Sequence, residues 1–416
     1  MFLAPVLRWN VSNQTQVNLY MEYLHSRDSF KPRIPTLGNA VAPVPRETNL
    51  GEFAQVEDDE VRVGFNWSHA FNDRWTLRQR FDANFLETPT TIQIQPSGLE
   101  NPAQCARARC TVQRFAIQNP SSPGQDYFTS LDLTGKFDTW GLNHTLLFGG
   151  DYYRSDQEAT LKANFTPELV PSIDLFHPVH TGIPSDIFSH LDLVIENPPF
   201  ELKEDWFGFY VQDQVKLPYN IHVLAGFRYD YTNFVTTVSA PIHVDAVNPR
   251  FGLLWQPVPA LSVYGNYVEN FGLSDAFASG PGTPPLPPQT AQQWEVGAKA
   301  EFFGGRLTGT LAWFDLTKQN ITGPDPDPVR AAAGFRVATG EARNRGLELD
   351  VSGEVWPGVN LIASGAYIDS KITRDGGLAF DGLGNPFGTS GSTGNRLFGV
   401  PRFGGSFWAT YEPQPA

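Results

Sequence analysis

The stretch 61–85, VRVGFNWSHAFNDRWTLRQRFDANF, decides the fold. From 61 to 71 the odd positions are Val61, Val63, Phe65, Trp67, His69 and Phe71. Arg62, Gly64, Asn66, Ser68 and Ala70 fall between them. Asn72-Asp73-Arg74 makes a tight turn, after which the phase resumes. Trp75, Leu77, Phe81, Ala83 and Phe85 share one face, and Thr76, Arg78, Arg80, Asp82 and Asn84 share the other. A period of two sustained on both sides of a short turn is a hairpin whose strands meet two different solvents.

Working outward, the same arrangement recurs at 206–217 and 221–231 around Pro218-Tyr219-Asn220. Phe207, Phe209, Val211, Val215 and Leu217, then Ile221, Val223, Ala225, Phe227 and Tyr229, form the apolar face. Gln212, Gln214, Lys216, His222, Arg228 and Asp230 form the polar one. Gly304-Gly305 and Pro357-Gly358 are further tight turns. Long excursions at 29–57, 96–124, 159–201, 273–290, 321–334 and 375–394 alternate with them. Strand pairing needs no long loop at every second connection, since two residues close a hairpin. Tight turns at one end and long loops at the other describe an outer-membrane barrel.

Strands are expected near 2–9, 14–28, 58–71, 75–95, 125–138, 142–158, 202–217, 221–237, 247–257, 260–272, 291–303, 306–319, 335–355, 359–374 and 395–412. Many run well past the ~9–11 residues that cross a bilayer, as in barrels with tall outer walls. No run approaches the ~18 apolar residues of a membrane helix, so any span is β. The Pro-rich run 280–288 lies between two strands and reads as a loop rather than an interdomain linker.

A net charge of -14 argues against nucleic acid as a partner. It suits loops that face a surface rich in lipopolysaccharide and divalent cations. Cys105 and Cys110 (CARARC) are the two cysteines of the chain and lie in one loop. An oxidising periplasm or cell surface permits a local disulfide there. A metal pair is the weaker reading, because no His or further Cys stands nearby. Met1-Phe2-Leu3-Ala4-Pro5 has no basic or apolar export signal, and Glu412-Pro413-Gln414-Pro415-Ala416 stops in a turn. These ends read as those of a piece of a longer exported chain.

Several motifs then carry a family resemblance. Tyr210-Val211-Gln212-Asp213-Gln214 with Gly226-Phe227-Arg228-Tyr229-Asp230 resembles a motif pair of TonB-dependent siderophore receptors. In the expected order follow Asn248-Pro249-Arg250-Phe251-Gly252-Leu253, Tyr264-Gly265-Asn266-Tyr267 and Trp294-Glu295-Val296-Gly297. Phe314-Asp315-Leu316-Thr317, Arg343-Asn344-Arg345-Gly346-Leu347-Glu348-Leu349 and Gly394-Asn395-Arg396-Leu397 complete the series. Each is weak alone, but the ordered series over 200–410 is specific. Leu175-Phe176-His177-Pro178-Val179 resembles the long-loop segment of ferrichrome-type, hydroxamate-siderophore members.

The resemblance implies an all-β, transmembrane antiparallel β-barrel of about 22 strands with a plugged lumen. Residues 1–416 would supply about fifteen of those strands, with short periplasmic turns and long extracellular loops, and without the plug. It also implies import of a ferric siderophore across the bacterial outer membrane, energised through the plug by the TonB complex. Iron would arrive already chelated, so the protein itself would bind no cofactor. Outer-membrane lipid and lipopolysaccharide would surround the wall.

Ligand recognition is expected at the loop side, where aromatic walls and a few donors suit a bulky chelate studded with oxygens. Tyr152, Tyr153, Phe165, Trp206 and Phe271 are the candidates, and Phe165 stands about where hydroxamate receptors present an aromatic to the ligand. For any one of them, membrane-girdle or loop packing is the competing reading. Arg62, Arg78, Arg80, Arg228 and Arg402 are expected to pair with lumen carboxylates. His177 and His180 (HPVH) lack a third nearby ligand for a metal. No catalytic motif appears, and the chain reads as a transporter rather than an enzyme. An importer of another solute and a passive porin are the alternatives.

Overall fold

The computed structural model describes residues 1–29, 34–37, 40–52, 55–89, 91–101, 105, 110–119, 122–159, 162–164, 170–184, 186–187, 194–196, 200–237, 241–274, 286–333, 335–375, 378–380, 386–389, 393–397 and 399–413. Among them no helix is long and apolar enough to cross a membrane. The main body is a sixteen-stranded antiparallel sheet whose order follows the chain. Phe2–Leu3 and Val6–Asn10 both pair with Thr15–Ser29, so sixteen strands fill fifteen wall positions.

The hairpin read first stands as expected: Gln55–Ala70 pairs with Trp75–Thr88, from Asp59 opposite Glu87 to Ala70 opposite Thr76. Ser122–Thr139, Leu142–Ala159, Phe200–Leu217 and Leu307–Pro324 each run 18 residues. That is nearly twice what a bilayer requires, so the wall stands well above the hydrocarbon on the loop side. Phe148, Phe209, Phe227, Phe251 and Val296 are exposed on the outer face, where lipid is the natural solvent. Trp140, Tyr219, Trp356 and Phe303 stand out at the tight turns as an interfacial girdle. Trp140 and Gly141 both have positive φ (50° and 81°), which is the I′ geometry that matches strand twist.

Gly353 shows how closely the strands approach. Its φ is +134°, and an added Cβ would run into the backbone carbonyl of Arg306, just before the neighbouring strand Leu307–Pro324. We predict that Gly353→Ala lowers the stability of the lipid-refolded wall by about 3 kcal/mol. A urea titration that leaves the midpoint unmoved would sink this.

Several boundaries differ from expectation, among them the end of Leu307–Pro324, five residues later than expected. The strand expected over 75–95 ends at Thr88, because Pro89 has no N–H to continue the ladder. The last strand begins at Phe403 rather than 395, just after Pro401. Ile242–Val258 starts five residues earlier than expected.

The larger difference lies in the excursions. Rather than irregular loops, Thr91–Leu99, Thr111–Asn119, Lys162–Asn164, Ile173–Asp174 and Val194–Glu196 build a second, five-stranded sheet. This cap holds the most deeply buried apolar side chains of the described residues. Leu50, Val112 and Leu175 pack with Ala42, Leu99, Cys110 and Ile173, and a second cluster joins Ile94, Ala116, Val170 and Ile187. Cys105 and Cys110 form a disulfide beside the first cluster.

A buried ion pair ties the excursions together. Arg114 Nη1 meets Glu52 Oε1 at 2.7 Å, with both side chains 2% exposed. Arg114 Nε donates to the Pro171 carbonyl at 2.7 Å, and Gly182 N donates to Glu52 Oε2 at 3.1 Å. Three excursions thus converge on one carboxylate. In the loop after Pro324, Arg330 beside Asp325, helped by the Asp327 N–H, holds the Asp325 carboxyl below the usual carboxylate range.

Candidate functional site

Pleating decides which residues can meet a solute inside the wall. With Phe148, Phe209 and Phe227 turned outward, their strand neighbours alternate inward. Midway along the wall the inner face is a chain of paired charges. Arg228 makes a two-point contact with Asp151 (2.6 and 2.8 Å) and reaches Asp230 at 2.6 Å. Asn248 Nδ2 donates to Asp230 at 3.1 Å, and the Tyr210 hydroxyl donates to Asp132. Gly208 lies under this cluster, where a Cβ would overlap the Arg228 guanidinium. On the adjoining part of the wall, Arg62, Arg80 and the Tyr20 hydroxyl converge on Asp82. Arg62, Arg80 and Arg228 are satisfied by carboxylates, as the sequence suggested, and form a polar lining rather than a solute clamp, whereas among the described residues Arg78 and Arg402 make no ion pair.

Nearer the loops the inner face changes character. Register places Phe128, Tyr153, Trp206 and Thr232 side by side on four consecutive wall strands. The next row toward the loops is Asp126, Ser155, Glu204 and Phe234. The Tyr153 hydroxyl donates to Asp126 at 2.9 Å, and the Trp206 indole N–H donates to Glu204. The Phe271 ring, close to the start of the 273–290 excursion, approaches the Trp206 ring to 5.4 Å. The result is an inward-facing aromatic recess edged by carboxylates.

Of the five aromatic candidates, Tyr153, Trp206 and Phe271 therefore meet in one place. Tyr152 does not join them. It lies on the outer face, packs at 4.8 Å on Phe207 and donates to Asp205 at 2.6 Å, which is the girdle role. Phe165 lies outside the described residues. His177 and His180 belong to the cap. The Asp174 carboxylate accepts from the Phe176 and His177 N–H groups, and His180 Nδ1 is 3.6 Å from Glu52 Oε2. Among the described residues no group of three or more His, Cys, Asp or Glu side chains is arranged to hold a metal ion.

Sequence reading missed Asp126, Glu204 and Thr232. Their signal was available in the parity of each strand, but only the register between strands sets them beside the aromatics. It also missed Glu52 and Arg114, which lie 62 residues apart and have no periodic pattern around them.

Comparison with known proteins agrees with this architecture. The family described as "TonB dependent receptor-like, beta-barrel" matches residues 8–416. The metal-pseudopaline receptor of Pseudomonas aeruginosa is 26% identical over 99% of this chain and 55% of its own length. The ferrichrome outer membrane transporter/phage receptor of Escherichia coli is 25% identical over 98% and 54%. The ferrioxamine B receptor of Salmonella typhimurium is 27% identical over 99% and 54%. The chain thus spans about half the length of these relatives. Among solved structures, the siderophore receptor PiuA from Acinetobacter baumannii superposes with a TM-score of 0.81 at 20% identity, over 99% of this chain and 62% of that one. A single wall of antiparallel strands, its outward apolar belt and a match over almost the whole sequence lead to one conclusion: the chain belongs to the TonB-dependent receptor family, as part of its outer-membrane β-barrel.

Proposed function

We propose that this barrel imports a ferric siderophore, taken up at the loop end of the lumen and released inward at the expense of the TonB energy-transducing complex. The observation that carries this reading is the recess of Tyr153, Trp206 and Phe271, which faces inward at the loop end of a tall wall. Aromatic surface with a few convergent polar groups suits a bulky chelate better than a bare ion. A plug seated against the polar inner face would couple the complex to the lumen. The named relatives that take ferrichrome and ferrioxamine B support a hydroxamate. Iron comes as part of the substrate, so no resident metal is invoked.

The test is radiolabelled iron uptake across a panel of ferric hydroxamates, in cells lacking other receptors for them. Trp206→Ala should raise the half-saturating concentration about tenfold, the loss of roughly one aromatic contact with a buried ligand. Uptake of every chelate at the background rate would refute the reading. A metal chelate other than iron is the second possibility, favoured by the pseudopaline-receptor relative. Nickel and zinc chelates in the same panel separate the two.

A further inference from the structure

The two rows at the loop end carry more than an aromatic wall. Asp126 and Glu204 flank Ser155 on the inner face, so two carboxylates share one small polar surface. Each is held by a neutral donor, the Tyr153 hydroxyl and the Trp206 indole respectively. Among the described residues neither makes an ion pair with a basic side chain. The nearby bases are turned the other way: Arg154 pairs with Asp156, and Lys203 with Glu201, on the outer face. Carboxylates gathered without a cation repel one another, and the lumen charges lower down show how this wall ordinarily relieves that cost.

An acidic pair alone would say little. The second observation is Thr232, which stands beside Trp206 in the same row. It is fully buried, and among the described residues its hydroxyl has no hydrogen-bond partner. Buried polar atoms are nearly always paired, so an orphan that faces inward marks a place for an external partner.

We infer that this recess selects chelates that carry a cationic group, in the simplest case an ammonium. The cation would lie over the Trp206 ring and between Asp126 and Glu204, with the Thr232 hydroxyl offered to the oxygens of the chelate. Cations are attracted to aromatic faces, and hydrogen bonds from an ammonium to a carboxylate are about twice as strong as neutral ones. The overall charge of -14 also raises the local concentration of cationic ligands near the receptor. The inference rests on the siderophore reading above and narrows its substrate class.

The test compares two probes, a linear ferric trihydroxamate with a free terminal amine and the same chelate N-acetylated. Uptake is measured with the receptor expressed from its own gene in cells lacking other hydroxamate receptors. The amine form should enter with about a tenfold advantage at limiting concentration, the worth of one charge-assisted hydrogen bond. In Glu204→Gln and in Asp126→Asn the ratio should fall below about threefold. Glu201→Gln, which removes a carboxylate from the outer face, should keep the full ratio. Heat-modifiable migration establishes that each variant is folded, and the wild-type ratio needs no variant at all. Equal uptake of both probes by the wild type, or a ratio that survives in both variants, overturns the inference while the siderophore reading stands. Entry of neither probe overturns the inference, and the siderophore reading falls with it only if every other chelate of the panel also stays at background.

Discussion

Arg114→Ala will destabilise the loop-side cap by about 3–5 kcal/mol and leave the wall standing, because it strands a buried carboxylate. Glu52 and Arg114 are each 2% exposed and 2.7 Å apart, so water cannot replace the lost partner. Arg114 also holds the Pro171 carbonyl at 2.7 Å, and the truncation frees that acceptor as well. Hydrogen exchange should show amides of 91–99 and 111–119 losing protection, while those of 142–159 and 221–236 keep theirs. Loss of protection in both sheets together, or in neither, would contradict the assignment. A paired replacement, Glu52→Leu with Arg114→Met, should recover only part of the loss. Apolar substitutes can stand in for a buried ion pair, but Thr181 N and Gly182 N would still lack the acceptor that Glu52 gives them.

Arg228→Met should have a comparable cost, about 3–5 kcal/mol, but in the wall itself. Asp151 and Asp230 are among the less exposed charges of the inner face, at 14% and 6% of their side-chain surface, and Arg228 is the base that joins them. Without it, two carboxylates confront each other across the intervening strand, on either side of Gly208. Urea titration of the lipid-refolded chain should show a lower midpoint with an unchanged slope, the mark of altered stability rather than altered unfolding extent. Adding Asp151→Asn should restore part of the loss by removing one of the two charges. An unchanged midpoint for Arg228→Met would mean that the inner face is hydrated enough to tolerate the pair.

The wall was legible in the sequence for a simple physical reason. A strand between lipid and a polar interior must alternate, and Val61 to Phe85 does so on both sides of its turn, with Gln79 a polar exception on the apolar face. The expected count of about fifteen strands matches the fifteen wall positions. The cap was not legible, because its short strands pair across separate excursions. Its strands are as short as two residues at Ile173–Asp174, and its core draws on Leu50, Val112 and Leu175 from three separate excursions. The recess was half legible. Trp206 and Tyr153 were recognisable as loop-side aromatics, but Tyr152 is separated from them only by facing the other way. Asp126 and Glu204 became part of the site only once the strands were set in register.

The link between Glu52 and Gly182 joins residues 130 apart in the chain. For a free chain such a contact is slow to find, since loop closure costs entropy before the contact rewards it. Wall strands joined by a tight turn close over a handful of residues and face no comparable search, whereas those joined by an excursion must first close that longer loop. Once neighbouring strands stand side by side, the ends of the three excursions are already close together. The cap contacts of Glu52 therefore depend on the wall pairings that bring its three excursions together.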